Sequence, residues 1–142
     1  EHEAPFIYYE ERSIREKYPV VGGSENGKWM MFFNRVNGEL DRKWQLACQL
    51  YSAGKLEGIS CMKVSTGYEN PRASSKTDGV LIFYCGPCSD EQLMLRYGRN
   101  LLEHIDYKSF AEYMSYKSDA QTGLGTRATG QRVNHLYKLS TR

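Results

Sequence analysis

Two stretches with helical periodicity, each following a short run that reads as a strand, constrain this chain more tightly than any other feature of its sequence. Between 41 and 53, Trp44, Ala47, Cys48 and Tyr51 recur at spacings of three and four and form one apolar stripe. Asp41 is placed to cap that helix and Gly54 to stop it. Ser89, followed three residues later by Gln92, has the pattern of a capping box, and Leu93, Tyr97, Leu101 and Ile105 then line one helical face. The segments 28–33, 59–65, 80–84 and 110–116 read as strands, and 132–139 as a closing one. The loops 66–78 and 118–130 are rich in Gly, Ser and Thr. The order is β-α-β-β-α-β followed by β. Helices set between strands that can pair antiparallel pack together on one face of the sheet and leave the other open. The expected class is α+β, an antiparallel sheet with helices on one face, and a ferredoxin-like or RNA-recognition-type sandwich fits.

The chain has 142 residues, with 40% of them hydrophobic. That is enough for one sizeable core and hardly for two. A single domain is expected over 28–142, preceded by a partly extended arm, 1–27, that carries little core. Lys and Arg number 19 against 17 Asp and Glu, which excludes the dense positive field of a dedicated duplex binder and leaves room for a local basic patch. No apolar run approaches the length that spans a bilayer, so no membrane partner is expected. Four cysteines are too few to staple a domain of this size. Cys48 and Cys61 read as core thiols, and a reducing compartment, cytoplasmic or nuclear, is expected.

Alternation identifies what the open face carries. With Met62 and Val64 turned to the helices, Cys61, Lys63 and Ser65 face away. With Val80 and Ile82 turned inward, Leu81 and Phe83 face away. On this phasing Lys63 and Phe83 share one surface, as a phosphate and a stacked base require. The bland alternative is that Phe83 is a core ring and Lys63 only snorkels.

Gly27-Lys28-Trp29-Met30, followed by Leu40-Asp41-Arg42-Lys43-Trp44, resembles the Gly-Arg-Trp strand and Leu-Asp-Arg-x-Trp helix of the translation initiation factor 4E family, which binds the mRNA cap. The stretch from Tyr116 to Thr122, with Thr129, Arg132 and Val133, is similar to that family's final strand, loop and closing segment. A closer likeness is to a 4E-like family, the basophilic-leukaemia-expressed proteins. Its signatures stand here as Gly27-Lys28-Trp29, Lys63-Val64-Ser65, Tyr116-Lys117-Ser118-Asp119 and Thr122-Gly123-Leu124-Gly125. The resemblance covers about 27–139. It implies a strongly curved antiparallel sheet with helices on the convex side and a ligand cleft on the concave side, the ferredoxin-like arrangement being the runner-up.

By position, the resemblance places Phe83 beside a bound base, Lys63 on the strand that contacts phosphate, and Arg127 on the loop where a phosphate tail passes. Lys117 and Arg132 lie nearby, and Arg72 and Lys76 extend a basic rim. It implies a non-catalytic binder of a nucleotide or RNA, with no cofactor. Cap recognition needs two aromatic plates and a carboxylate. Trp29 and Trp44 read as core, however, and the adjacent Tyr9 and Glu10 read as part of a charged arm.

Two other functions stay open. A sheet or helix face could dock a protein partner or a second copy of the chain. Cys85-Gly86-Pro87-Cys88, between a strand and a helix start, matches the redox motif of thioredoxins, in which a helix N-terminus depresses a thiol's pKa. No proline follows Pro87 and Tyr84 stands where those enzymes have tryptophan, so thiol exchange is the third reading. Zinc is not expected, because the one C-x-x-C has no second ligand pair, and His2, His104 and His135 are scattered.

Overall fold

The computed structural model describes residues 6–19, 25–66, 77–109, 111–119 and 136–141. The strands are β1 (Phe6–Tyr9), β2 (Gly27–Asn34), β3 (Cys61–Ser65), β4 (Asp78–Cys85), β5 (Tyr113–Ser118) and β6 (Tyr137–Ser140). The helices are α1 (Arg12–Lys17), α2 (Glu39–Ser52) and α3 (Glu91–His104). The strands form one open, curved sheet in the order β1-β3-β4-β2-β5-β6, with every neighbouring pair antiparallel. Its four inner strands, β3-β4-β2-β5, have the order of an antiparallel split β-α-β-β-α-β unit. One further strand extends each edge.

The core lies between one face of this sheet and the two long helices. Trp29, Met31 and Phe33 of β2, Leu81 and Phe83 of β4, Met62 and Val64 of β3, and Met114 and Tyr116 of β5 meet Ala47 and Tyr51 of α2 and Met94, Tyr97 and Leu101 of α3. The polar atoms of its fully buried Trp29, Tyr51 and Tyr116 have partners, which keeps their burial from being costly. Trp29 Nε1 donates to Met94 O at 3.1 Å, and Tyr116 Oη donates to Cys85 O at 2.9 Å. Gly98, in mid-helix, lets α3 approach the sheet closely. A Cβ there would come within 2.6 Å of the Trp29 ring.

The helix ends differ in detail from expectation. Helix α2 starts earlier, behind Gly38, and Asp41 lies in its first turn, where a carboxylate favours the helix dipole. Its C-terminus closes as expected at Gly54, whose φ is +74°. The bonds Gly54 N to Tyr51 O and Lys55 N to Leu50 O form a Schellman pair. For α3 the cap is Asp90 rather than Ser89. The Asp90 carboxylate accepts from Leu93 N at 3.2 Å, and with Leu93 at N3 no reciprocal capping-box bond forms. Replacing Asp90 with alanine is expected to lower stability by about 1 kcal/mol in urea unfolding, with Ser89→Ala near neutral.

The N-terminal arm is more than a tether. Its extended part is β1, paired with β3 along Phe6–Tyr9, and Ile7, Tyr9 and Ile14 pack against the core. Tyr9 turns towards α2, with ring contacts to Trp44 and Tyr51 and a 2.7 Å hydrogen bond between its hydroxyl and that of Ser52. Glu10 pairs with Arg15 at 2.6 Å. Tyr9 and Glu10 are therefore structural neighbours and not an aromatic-acid recognition pair. No helix among the described residues is long and apolar enough to cross a membrane.

Candidate ligand-binding face

The pairing registers fix which side chains share the helix-free face. One row runs across the sheet as Tyr8, Lys63, Ile82, Met30, Ser115 and Lys138. A second runs Cys61, Tyr84, Lys28 and Lys117. Towards the other end lie Phe6 opposite Ser65, and Phe32 opposite Val80. Tyr113, two residues before Ser115 on β5, points the same way. Met30 and Ile82 are buried on this face, while Tyr8 at 63% and Phe32 at 49% exposure stand out from it.

Phe83 belongs to the opposite face, which corrects the phasing expected for β4. It is fully buried and pairs with Met62 on β3 and Trp29 on β2, both core residues. Leu81, Phe83 and Cys85 turn to the helices, and Val80, Ile82 and Tyr84 turn away. Both sets are apolar, so alternation alone left the phase open. The cue available in the sequence was chemical, since of two adjacent rings the one with a hydroxyl suits the wetter side. Cys61 lies half-buried on the open face, where the alternation of β3 puts it, and not in the core as its thiol suggested.

Lys63 does lie on the open face. Its Nζ sits 4.1 Å from the Phe6 ring centroid, 5.4 Å from that of Tyr8 and 5.7 Å from that of Tyr84. Three rings thus surround one ammonium, each contributing a modest cation-π attraction. Burial pushes its pKa below the ordinary lysine value, partly opposed by the Asp119 carboxylate. Lys117 is lowered too, by burial and then by the charge of Lys28, its cross-strand neighbour. Lys28 bonds to Asp119 at 3.3 Å and lies 5.9 Å from the Tyr84 ring centroid. Lys138 sits over Tyr113 at 5.0 Å. Sequence reasoning brought Lys63 and Lys117 to this face and missed Lys28, Lys138, Tyr84 and the β1 rings. Arg127, Arg132, Arg72 and Lys76 lie outside the described residues.

A cleft of about 480 Å³ opens at the far end of the same face, where Met30, Phe32, Tyr113 and Ser115 meet Asn34, Glu39 and Asp78. The face therefore carries Lys28, Lys63 and Lys117 at one end, with the largely buried Lys28 ion-paired to Asp119, and Glu39, Asp78 and Lys108 around the cleft.

Cys85 and Cys88 flank the turn that leads from β4 to α3. Cys85 is the last residue of β4 and fully enclosed by the core, and burial pushes its thiol far above its ordinary value. Cys88 is raised as well, chiefly by burial and then by Glu25. Both shifts run opposite to the depression that activates a redox thiolate. None of the four cysteines forms a disulfide. Alkylation of Cys85 by iodoacetamide at pH 8 is expected only when the protein is unfolded in urea. Rapid labelling of the native protein at that thiol would restore the exchange reading. Among the described residues no cluster of His, Cys, Asp or Glu could hold a metal ion.

No family model matches this chain, and neither does any curated protein.

Proposed function

We propose that this domain is a non-catalytic binding protein of the initiation-factor-4E-like type, which holds a nucleotide or a stretch of RNA against the concave, helix-free face of its sheet. The observation that carries this reading is the clustering of Lys63, Lys28 and Lys117 with the Tyr84, Tyr8 and Phe6 rings on that face. Lysine ammoniums supply the salt-sensitive attraction to phosphate, and ring faces accept stacked bases without demanding a sequence. The roles first assigned to Phe83 pass to Tyr84, which lies beside Lys28 and Lys63 instead of behind them. With Tyr9 packed against the core on the helix side, methyl-specific cap recognition has no aromatic-acid pair at that position, and the reading is of general nucleotide or RNA binding.

Fluorescence titration with guanine nucleotides, capped analogues and short single strands at two salt concentrations tests it. Binding is expected to weaken as salt rises. Absence of any salt-sensitive binding across this set would remove the reading. A second reading, docking of a protein partner or of another copy of the chain, draws on β1, a sheet-edge strand that exposes Tyr8. Light scattering over a range of concentrations tests the homo-oligomeric form.

A further inference from the structure

The cleft at the far end of the open face carries carboxylates and an ammonium that do not pair with one another. We propose that it is a separate small-molecule site, whose ligand is an α-amino acid with an apolar or aromatic side chain, bound as a zwitterion. The site is independent of the nucleotide reading, since Lys28, Lys63 and Lys117 lie outside its lining.

The cleft's volume of about 480 Å³ falls in the range of small-ligand sites. Phe32 of β2 reaches it as a large apolar ring left half-exposed, and Tyr113 of β5 stands beside it. Several polar groups here are already used by the fold. Asn34 Oδ1 accepts from Val36 N and Asn37 N, and Ser109 Oγ accepts from Ala111 N. Tyr107, in the segment between α3 and β5, differs. It is only 6% exposed, its ring packs edge-on against Phe33, and it lines the cleft. Its hydroxyl has no hydrogen-bond partner among the described residues. A hydroxyl so enclosed is costly unless a group in the cleft completes it.

The charges around these rings narrow the ligand's class. Glu39 is half-buried, and its carboxylate accepts from Asn34 N at 3.2 Å, which leaves it further acceptor sites. Asp78 and the exposed Lys108 line the same cleft. Lys108 forms no ion pair with either carboxylate, and a second ammonium, that of Lys138, lies over the Tyr113 ring. A simple anion would meet two carboxylates, and a simple cation would meet the lysines. Opposite charges that share one cleft without meeting suit a ligand bearing both signs. Its ammonium would face Glu39 and Asp78, its carboxylate would face Lys108, and its side chain would lie against Phe32 and Tyr113.

Titration calorimetry of the full chain with four molecules that share one phenyl body tests this: phenylalanine, 2-phenylethylamine, 3-phenylpropionate and 2-phenylethanol. Phenylalanine is expected to bind tightest, the other three being weaker by roughly tenfold or more, as loss of a charge-assisted hydrogen bond implies. Glu39→Gln keeps an oxygen for Asn34 N. It is expected to weaken phenylalanine binding roughly tenfold and to leave 3-phenylpropionate binding equal or tighter. Lys108→Ala is expected to weaken phenylalanine binding and to leave 2-phenylethylamine binding equal or tighter. That crossed pattern is one that a merely structural role would not produce. Tyr107→Phe, which keeps the ring on Phe33, is expected to weaken phenylalanine binding a few-fold. An analogue with one charge or none that binds as tightly as phenylalanine, variants that shift all probes alike, or failure of all four to bind would each overturn this inference. None of these outcomes bears on the nucleotide titrations, which report on the other end of the face.

Discussion

Truncating Phe83 to alanine is expected to lower the free energy of unfolding by about 3–5 kcal/mol, the usual cost of deleting a fully buried phenyl ring. The ring has no solvent exposure and sits in the core cluster with Trp29, Met62 and the inner faces of both long helices. Its removal forfeits the transfer free energy of the ring and leaves a cavity that a sheet pinned on both sides by β2 and β3 cannot collapse to fill. Urea unfolding followed by tryptophan fluorescence reads the change, since Trp29 is its direct cross-strand neighbour. Tyr84→Ala, one residue along and on the other face, is expected to cost much less stability and to act on ligand binding. If Phe83→Ala unfolds at the same urea concentration as the native chain, the core assignment of β4 is wrong and the ring belongs with Lys63.

The second large effect concerns the lysines. Lys63→Ala and Lys117→Ala are each expected to reduce affinity for a phosphate-bearing ligand by tenfold or more, since a hydrogen bond to a charged group contributes about 1.5–3 kcal/mol. Each is also expected to flatten the slope of log affinity against log salt by about 0.7, the counterion release of one phosphate contact on a single strand. For Lys63 the ring contacts offset part of the cost of burying its charge, and Lys117 has the cost alone. Burial holds both amines below the ordinary lysine value, so their charged forms are disfavoured by the native state. Their truncation is therefore expected to leave the unfolding midpoint nearly unchanged or slightly raised. Anisotropy titrations at several salt concentrations, with unfolding curves on the same samples, separate the two effects. Affinity lost without a change in salt slope would assign the lysines to shaping the face and not to phosphate.

The two strands of the β3–β4 hairpin show what made part of the site legible. In β3, Met62 and Val64 alternate with Cys61, Lys63 and Ser65, and only one phasing buries the apolar pair. Lys63 was therefore assigned to the correct face. In β4 every residue from Val80 to Cys85 is apolar or aromatic, so either phasing satisfies burial. The choice falls to register, which slips by a whole face for each residue of offset. The β1 rings were out of reach for another reason. Phe6 and Tyr8 enter the site because β1 pairs with β3, a partner more than fifty positions away in the chain, and no local pattern in a charged arm announces such a pairing.

The sequence by itself determined the order of elements from β2 onward, the two amphipathic helices, the stop at Gly54 and the class of an antiparallel sheet with helices on one side. These follow from local periodicity and backbone preference, which act over a few residues. The tertiary structure decided which face of β4 meets the helices, that the arm joins the sheet as β1, and that Lys28 and Lys63 meet at Tyr84 with Lys117 beside Lys28. Those outcomes depend on hydrogen-bond registers between strands distant in the chain. Long-range pairing chooses among phasings that are equally apolar locally, and it alone brings the site's residues together.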